Sequence, residues 1–187
     1  MSTTISGTAL NVATITSPTL ITPIINGMGS SILTSGTAVS ASGTSIDFTS
    51  IPSWVKRITV MFSGVSINGT ANFFLQLGSG SPTTSGYLGS TGSIQSAGAS
   101  ATMINNSGLG VIGGGTNVVL QGSAIFSLLD ASTNTWVGGH TFSRSDGAIP
   151  QFGSAKISLS GVLDRVRITS SNGTDTFDAG SINIMYE

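Results

Sequence analysis

Ile51–Leu77 reads IPSWVKRITVMFSGVSINGTANFFLQL, and its pattern points to the fold class more firmly than any other stretch. Pro52 fixes φ and makes a rigid entry, with Trp54 just ahead of a run of period two. Ile58, Val60 and Phe62 fall on one face of that run, while Arg57 and Thr59 fall on the other. Phe73, Leu75 and Leu77 repeat the alternation after Asn68-Gly69, the pair that most readily supplies the positive φ of a tight type I′ turn. The stretch predicts a β-hairpin with one buried face. No catalytic motif in the chain matches this signal in strength.

The C-terminal end repeats the logic. Val166 and Ile168 alternate with Arg165 and Arg167, Asn172-Gly173 turns the chain, and Ile182, Ile184 and Tyr186 form a last alternating strand. Thr37–Ser42 and Ser45–Ser50 read as short strands, as do TNVVLQ and SAIFSLLD (divided by Gly122), NTWVGGHTF and AKISLS. Residues 78–117 are rich in Gly and Ser. A structureless loop of that length is unusual, so short strands are expected at Gly86–Leu88 and Ala101–Asn105. No capped window carries helical periodicity. Many short strands punctuated by Gly and Asn-Gly predict an all-β, jelly-roll-like antiparallel β-sandwich over residues 37–187.

Residues 1–36 follow a different pattern. Ile15, Leu20 and Ile25 recur every fifth residue, as do Pro18 and Pro23. The prolines preclude a helix and interrupt a central strand, leaving an extended segment that cannot bury its own apolar side chains. It is expected to be an anchoring arm, packed on a larger body or on copies of itself. Three such arms would bury these residues against one another, so a homotrimer is expected.

Composition narrows the function classes. The 187 residues suffice for one domain with a core and an appendage. Charged residues are 7%, against roughly 25% in ordinary soluble domains. No charged side chain precedes Asp47, and none lies between Arg57 and Asp130. With a formal net charge of −1, nothing points to nucleic acid or to an anionic membrane as partner. A surface wetted by hydroxyls and amides suits carbohydrate contact or burial in a multi-chain assembly. The absence of cysteine excludes disulfides and thiolate metal sites. The segment MSTTISGTALNV lacks the basic and apolar regions of a secretory signal, and no apolar run is long enough to span a bilayer. Synthesis and folding in a cytoplasm are expected.

Candidate chemistry is sparse, and neither a cofactor nor a metal site is expected. His140 could form a Ser-His-Asp set with Asp146, yet no Gly-x-Ser-x-Gly elbow accompanies it, so a surface loop or assembly contact is the expected role. Asp130-Ala-Ser-Thr-Asn134 spaces oxygens as calcium loops do but lacks the central Gly and terminal Glu; a hairpin turn is expected instead. Asp175 is expected to pair across strands with Arg165 or Arg167. Trp54 and Tyr186 adjoin strong strands and are read as core or subunit-interface residues. Tyr87 and Trp136 stand beside glycine-rich segments and are read as exposed, available for contact with a host-surface glycan.

The series SGTSIDFTSIPSWVKRITVMFSGVSINGT, with GVLDRVRITSSNGTDTFDAGSINIMYE at the C-terminal end, resembles a domain common in tailed-bacteriophage and prophage tail-fibre and related virion surface proteins. The leader TITSPTLITPIIN looks like the Thr/Ile/Pro-rich connecting segments of such fibres. The resemblance covers residues 36–77 and 161–187 and carries no catalytic residues. It implies a β-sandwich head, trimeric assembly, and attachment to another virion protein through the N-terminal part. A brief leader implies a short fibre or knob, on tail or capsid, assembled in the cytoplasm of a bacterial host. The expected function is therefore non-enzymatic attachment to the host surface. The alternatives are a capsid decoration protein or head fibre, a polysaccharide-degrading spike, and a free-standing lectin.

Overall fold

Apolar alternation and β-branched residues give strands throughout, and the strands divide between two sheets. The computed structural model describes residues 33–95, 100–113, 115–145 and 147–187. The anchor residues Ile15, Pro18, Leu20, Pro23 and Ile25 therefore lie outside the described residues, as does Asp146. In chain order the first strands are β1 (Thr34–Ser35), β2 (Val39–Ser40), β3 (Ser45–Thr49), β4 (Arg57–Ile67), β5 (Phe73–Ser79), β6 (Ser81–Pro82) and β7 (Leu88–Ile94). There follow β8 (Ser100–Ile104), β9 (Leu109–Val111), β10 (Leu120–Asp130), β11 (Thr135–Arg144), β12 (Ile149–Ser158), β13 (Arg165–Ser170) and β14 (Phe177–Tyr186). Among the described residues there is no helix.

The large sheet has the order β1-β14-β4-β10-β11-β12-β7-β8, with β2 also on β14. The small sheet runs β3-β13-β5-β6, with β9 also on β5. Neighbouring strands are antiparallel throughout. The chain is an antiparallel β-sandwich. Its core lies between the sheets, where Ile58, Val60, Leu75, Leu77, Val166 and Ile168 are fully buried. Phe62 joins the sheets through rings, 4.9 Å from Phe142 and 6.5 Å from Phe73, which itself lies 5.7 Å from Phe177. Each such side chain contributes roughly 1.5–3 kcal/mol by leaving water.

Two expected hairpins are instead arches between sheets. β4 pairs with β14 and β10, whereas β5 pairs with β13, β6 and β9, so the Asn68-Gly69 segment crosses the sandwich. The Asn172-Gly173 segment likewise carries the chain from β13 in the small sheet to β14 in the large one. Alternation records which side chains face the core, and both members of an arch face it from opposite sides. The two arches bond each other: Asn68 N–H donates to Thr176 O at 2.9 Å, and Thr176 N–H to Asn68 Oδ1 at 2.9 Å. Gly173 takes φ 71°, but Gly69 is needed for space, since a Cβ there would lie 2.0 Å from Asp175 Oδ2.

Three further expectations change. The break expected at Gly122 is a bulge within the continuous strand β10, where φ 134° and a Cβ position 2.2 Å from Thr141 O admit only glycine. Asp175 pairs with neither arginine; it accepts from Ala71 N–H at 3.0 Å and from Asn172 Nδ2 at 2.8 Å. Arg167 instead forms a two-pronged bond to Asp47, its cross-strand neighbour, at 2.7 Å for each prong, and Arg165 bonds Asp164 at 2.7 Å. The sheet also begins ahead of Thr37, because Thr34 and Ser35 pair with Tyr186 and Met185.

Candidate binding face and the buried polar cluster beneath it

The strands β10, β11, β12, β7 and β8 form the half of the large sheet away from β1. β10 and β11 are joined by the tight turn expected at Asp130–Asn134. There Asp130 Oδ1 accepts from Ser132 N–H at 2.8 Å and from the Ser132 hydroxyl at 2.7 Å, and these donors hold its carboxyl below the usual range. The register places side chains of the outer face in rows. Ile125, Gly139, Ser154, Ser90 and Ile104 make one row; Ser123, Thr141, Phe152, Gly92 and Thr102 make the next. Large apolar side chains thus stand singly among Gly, Ser and Thr. Ile104 is 75% exposed, Leu88 65%, and Phe152 53%.

Between the rows lies a shallow open groove of about 620 Å³, lined by Ser123, Ile125, Ser127, Val137, Gly139 and Ser154 among others. Lys156 is the single formal charge among the outward-facing residues of these five strands, aside from Asp130 at the end of β10. The small sheet differs. Its outer face carries Asp47, Arg165 and Arg167 in ion pairs. The outer face of the small sheet is therefore solvated by ion pairs, whereas that of these five strands is almost neutral; the Arg57–Glu187 pair lies on the other half of the large sheet.

The inner face of the same five strands joins the apolar core through residues such as Phe126, Trp136, Phe142 and Ile157, and a polar cluster is set into it. His140 pairs with Gly153, and Gly153 with Thr91, so the imidazole reaches over a residue without a side chain to place Nε2 3.2 Å from Thr91 Oγ1. A Cβ on Gly153 would lie 2.2 Å from Thr91 Oγ1 and 2.8 Å from His140 Nε2. Thr91 Oγ1 donates to Gly110 O at 2.7 Å, and Asn105 Oδ1 accepts from Gly110 N–H at 3.1 Å. Gln151 holds both backbone groups of Ile112, donating to its O at 2.6 Å and accepting from its N–H at 2.8 Å. One edge of β9 pairs with β5, and these side chains satisfy the backbone on its other side. Burial pushes the imidazole of His140 down to about 4, opposed by the Gly110 carbonyl.

These placements settle the sequence candidates. His140 is not in a surface loop; it lies in β11, 5% exposed, its ring 5.2 Å from Phe142 and facing inward. Tyr87 and Trp136 are buried, each 2% exposed, and neither can meet a glycan. Gly138-Gly139 lies within β11, not in a turn, and Trp136 shares the inward parity of His140 and Phe142. Tyr87 spans to β5, where its hydroxyl accepts from Leu77 N–H at 2.7 Å and burial raises its pKa. Asn105, one of three Asn-x-Ser/Thr sites, is fully buried. Trp54 is not in the core; it is 46% exposed and tilted against Tyr186 with centroids 5.9 Å apart. No cluster of His and carboxylates able to hold a metal occurs among the described residues.

The outward residues Phe152, Ile104 and Leu88 were not among the sequence candidates. The alternation of Gln151, Gly153, Ala155 and Ile157 against Phe152, Ser154 and Lys156 was the available signal, and it opposes a Phe to the core-facing set. Chemically the region offers an apolar and hydroxyl face for non-covalent contact, backed by core residues and the His140–Thr91–Asn105–Gln151 polar cluster. Scans against protein-family models, curated protein sequences and solved structures return no match.

Proposed function

We propose that this chain is a non-enzymatic surface protein of a tailed-bacteriophage particle, a short homotrimeric fibre that serves attachment to the host surface. The residues ahead of β1 act as the arm that engages another virion protein, and the sandwich is the exposed head. The observation that carries this reading is the charge partition: a wide, nearly neutral sheet face, opposite a face solvated by ion pairs. Surfaces of large apolar residues set among hydroxyls match assembly contacts and weak contacts with neutral ligands, and they carry little desolvation cost. The resemblance of residues 36–77 and 161–187 to virion fibre domains supports it independently.

Attachment by such a head is weak per copy and strengthens through several heads on one particle. With so few charges to screen, binding of purified protein to host cells should change little between low and high salt. Incubation with host-surface polysaccharide should release no fragments. Loss of binding at raised salt would overturn the neutral-contact reading, and released oligosaccharides would move the protein to the polysaccharide-degrading class.

A further inference from the structure

We propose that Thr91 and Asn105 become joined by an ester bond inside the sandwich, formed once by the folded chain itself with loss of ammonia. The buried cluster holds the parts that an acyl transfer needs. The nucleophile is the Thr91 hydroxyl, whose oxygen lies 3.3 Å from Asn105 Oδ1 and 3.1 Å from Asn105 Nδ2, the two atoms that flank the amide carbon. The base is His140, with Nε2 3.2 Å from that oxygen. A donor already stands on the amide oxygen, since Gly110 N–H bonds Asn105 Oδ1 at 3.1 Å. The nitrogen that would leave donates to Ser154 O at 3.1 Å. Thr91, Asn105 and His140 are 2%, 0% and 5% exposed, so bulk water does not compete for the amide carbon. His140 Nδ1 has no hydrogen-bond partner among the described residues, and with the ring proton there the Nε2 lone pair faces the hydroxyl. Burial pushes the ring down to about 4, which leaves that lone pair free of a proton at neutral pH. Satisfying the backbone of β9 explains Thr91, Asn105 and Gln151. It does not explain an imidazole turned on the Thr91 hydroxyl across Gly153, a residue kept free of a side chain.

The step balances. Thr91 Oγ1 forms a bond to Cγ of Asn105 while its proton passes from the Gly110 carbonyl side to His140 Nε2. The carbonyl electron pair moves onto Oδ1, beneath the Gly110 N–H. When that pair returns, the C–N bond breaks, and the imidazolium gives its proton to the departing nitrogen, which leaves as ammonia. One C–O bond replaces one C–N bond, and nothing is oxidised or reduced. The outer groove is lined by His140 and Gly153 themselves, so ammonia has a short way out, and its dilution and protonation in water draw the exchange forward. The product ties β7 to the residue after β8, across the pair of strands that ends the large sheet. An outermost strand is the one most readily lost from a sheet, and this bond would hold it. The chain modifies itself once and turns over no substrate, so the attachment reading stands or falls separately.

The test is mass spectrometry of the full chain, held folded at neutral pH and then denatured and digested. No Lys or Arg lies between Arg57 and Arg144, so trypsin releases residues 58–144 as one fragment that contains both partners. That fragment should be lighter than its sequence requires by about 17 Da, the ammonia lost. Met103 lies between Thr91 and Asn105, so cyanogen bromide cuts the chain between them. The pieces 62–103 and 104–144 should nevertheless stay joined, and mild alkali, which cleaves esters, should part them. In Thr91→Val the pieces should separate at once and show no loss, whereas Thr91→Ser should keep them joined. In His140→Gln the joined form should appear about 100-fold more slowly or not at all, as loss of a general base requires. The wild type decides the matter even if a variant fails to fold. Three results would overturn the proposal: a wild-type fragment at full mass, a lighter fragment whose pieces separate, as a succinimide gives, or pieces joined equally in folded Thr91→Val. None of them bears on whether the chain stands on virions, and absence of the chain from particles leaves the ester untouched.

Discussion

Gly153 is the residue on which the buried layer depends. It leaves room for His140 Nε2 to meet Thr91 Oγ1, and an Ala there would press its Cβ into both partners. Gly153→Ala should therefore destabilise the fold by about 1–3 kcal/mol, as overpacking does, measured by urea unfolding. His140 carries a pH signature. Its folded pKa of about 4 lies below the ordinary value of 6.5, so the unfolded chain takes up the proton first as pH falls. Its contribution to stability is complete above about pH 6.5 and is lost as pH drops toward 4, by roughly 3 kcal/mol in total. Asp130, Asp164 and Asp175, held below 3.8 by their bonding partners, add losses only at still lower pH. Urea midpoints measured between pH 7 and pH 4 should fall in the wild type and stay nearly level in His140→Gln. Equal slopes in the two proteins would contradict this placement of the ring. Neither Tyr87 nor Trp136 could be placed from neighbouring glycines, because a glycine inside a strand and one in a turn look alike in sequence. Parity with Phe142 was the better guide for Trp136.

Among the elements, inward and outward faces were legible and strand partners were not. Ile58, Val60, Leu75 and Leu77 all face the core as their alternation requires, yet β4 and β5 belong to different sheets. Period two reports a face and carries no information on which strand lies alongside. The 78–117 stretch was partly readable for the same reason: Ser, Gly and Thr alternate too weakly to mark β7, although the apolar Met103 and Ile104 mark the end of β8. The paired arches supply a decisive local test. Asp175→Ala removes the acceptor for Ala71 N–H and Asn172 Nδ2 and should lower the urea midpoint. Gly69→Ala alone should destabilise by about 1–3 kcal/mol, since its Cβ meets that carboxylate. The double variant should lose clearly less than the sum of the two single losses, because the clash at residue 69 disappears with the carboxylate. Additive losses would mean that the two arches do not share this contact.

Across the whole molecule, the scarcity of charge read from the sequence becomes meaningful only once it is mapped onto two faces. Composition showed that little of the surface could be charged. The register shows ion pairs on the outer face of the small sheet and one more, Arg57 with Glu187, on the β4–β14 side of the large sheet, leaving the outer face from β10 to β8 nearly neutral. That face could not be foreseen, because its members come from five strands spread between Leu88 and Ser158. The leader is the segment proposed to hold the chain on the particle. Protein content and electron microscopy of purified phage particles test this most directly, made with the full chain and with residues 1–32 deleted, a cut that spares β1. The full chain should stand on the particle surface in multiples of three per attachment point, while the shortened chain folds as a soluble sandwich but is missing from particles. Particles that lack the full chain, or that still carry the shortened one, would contradict this assignment.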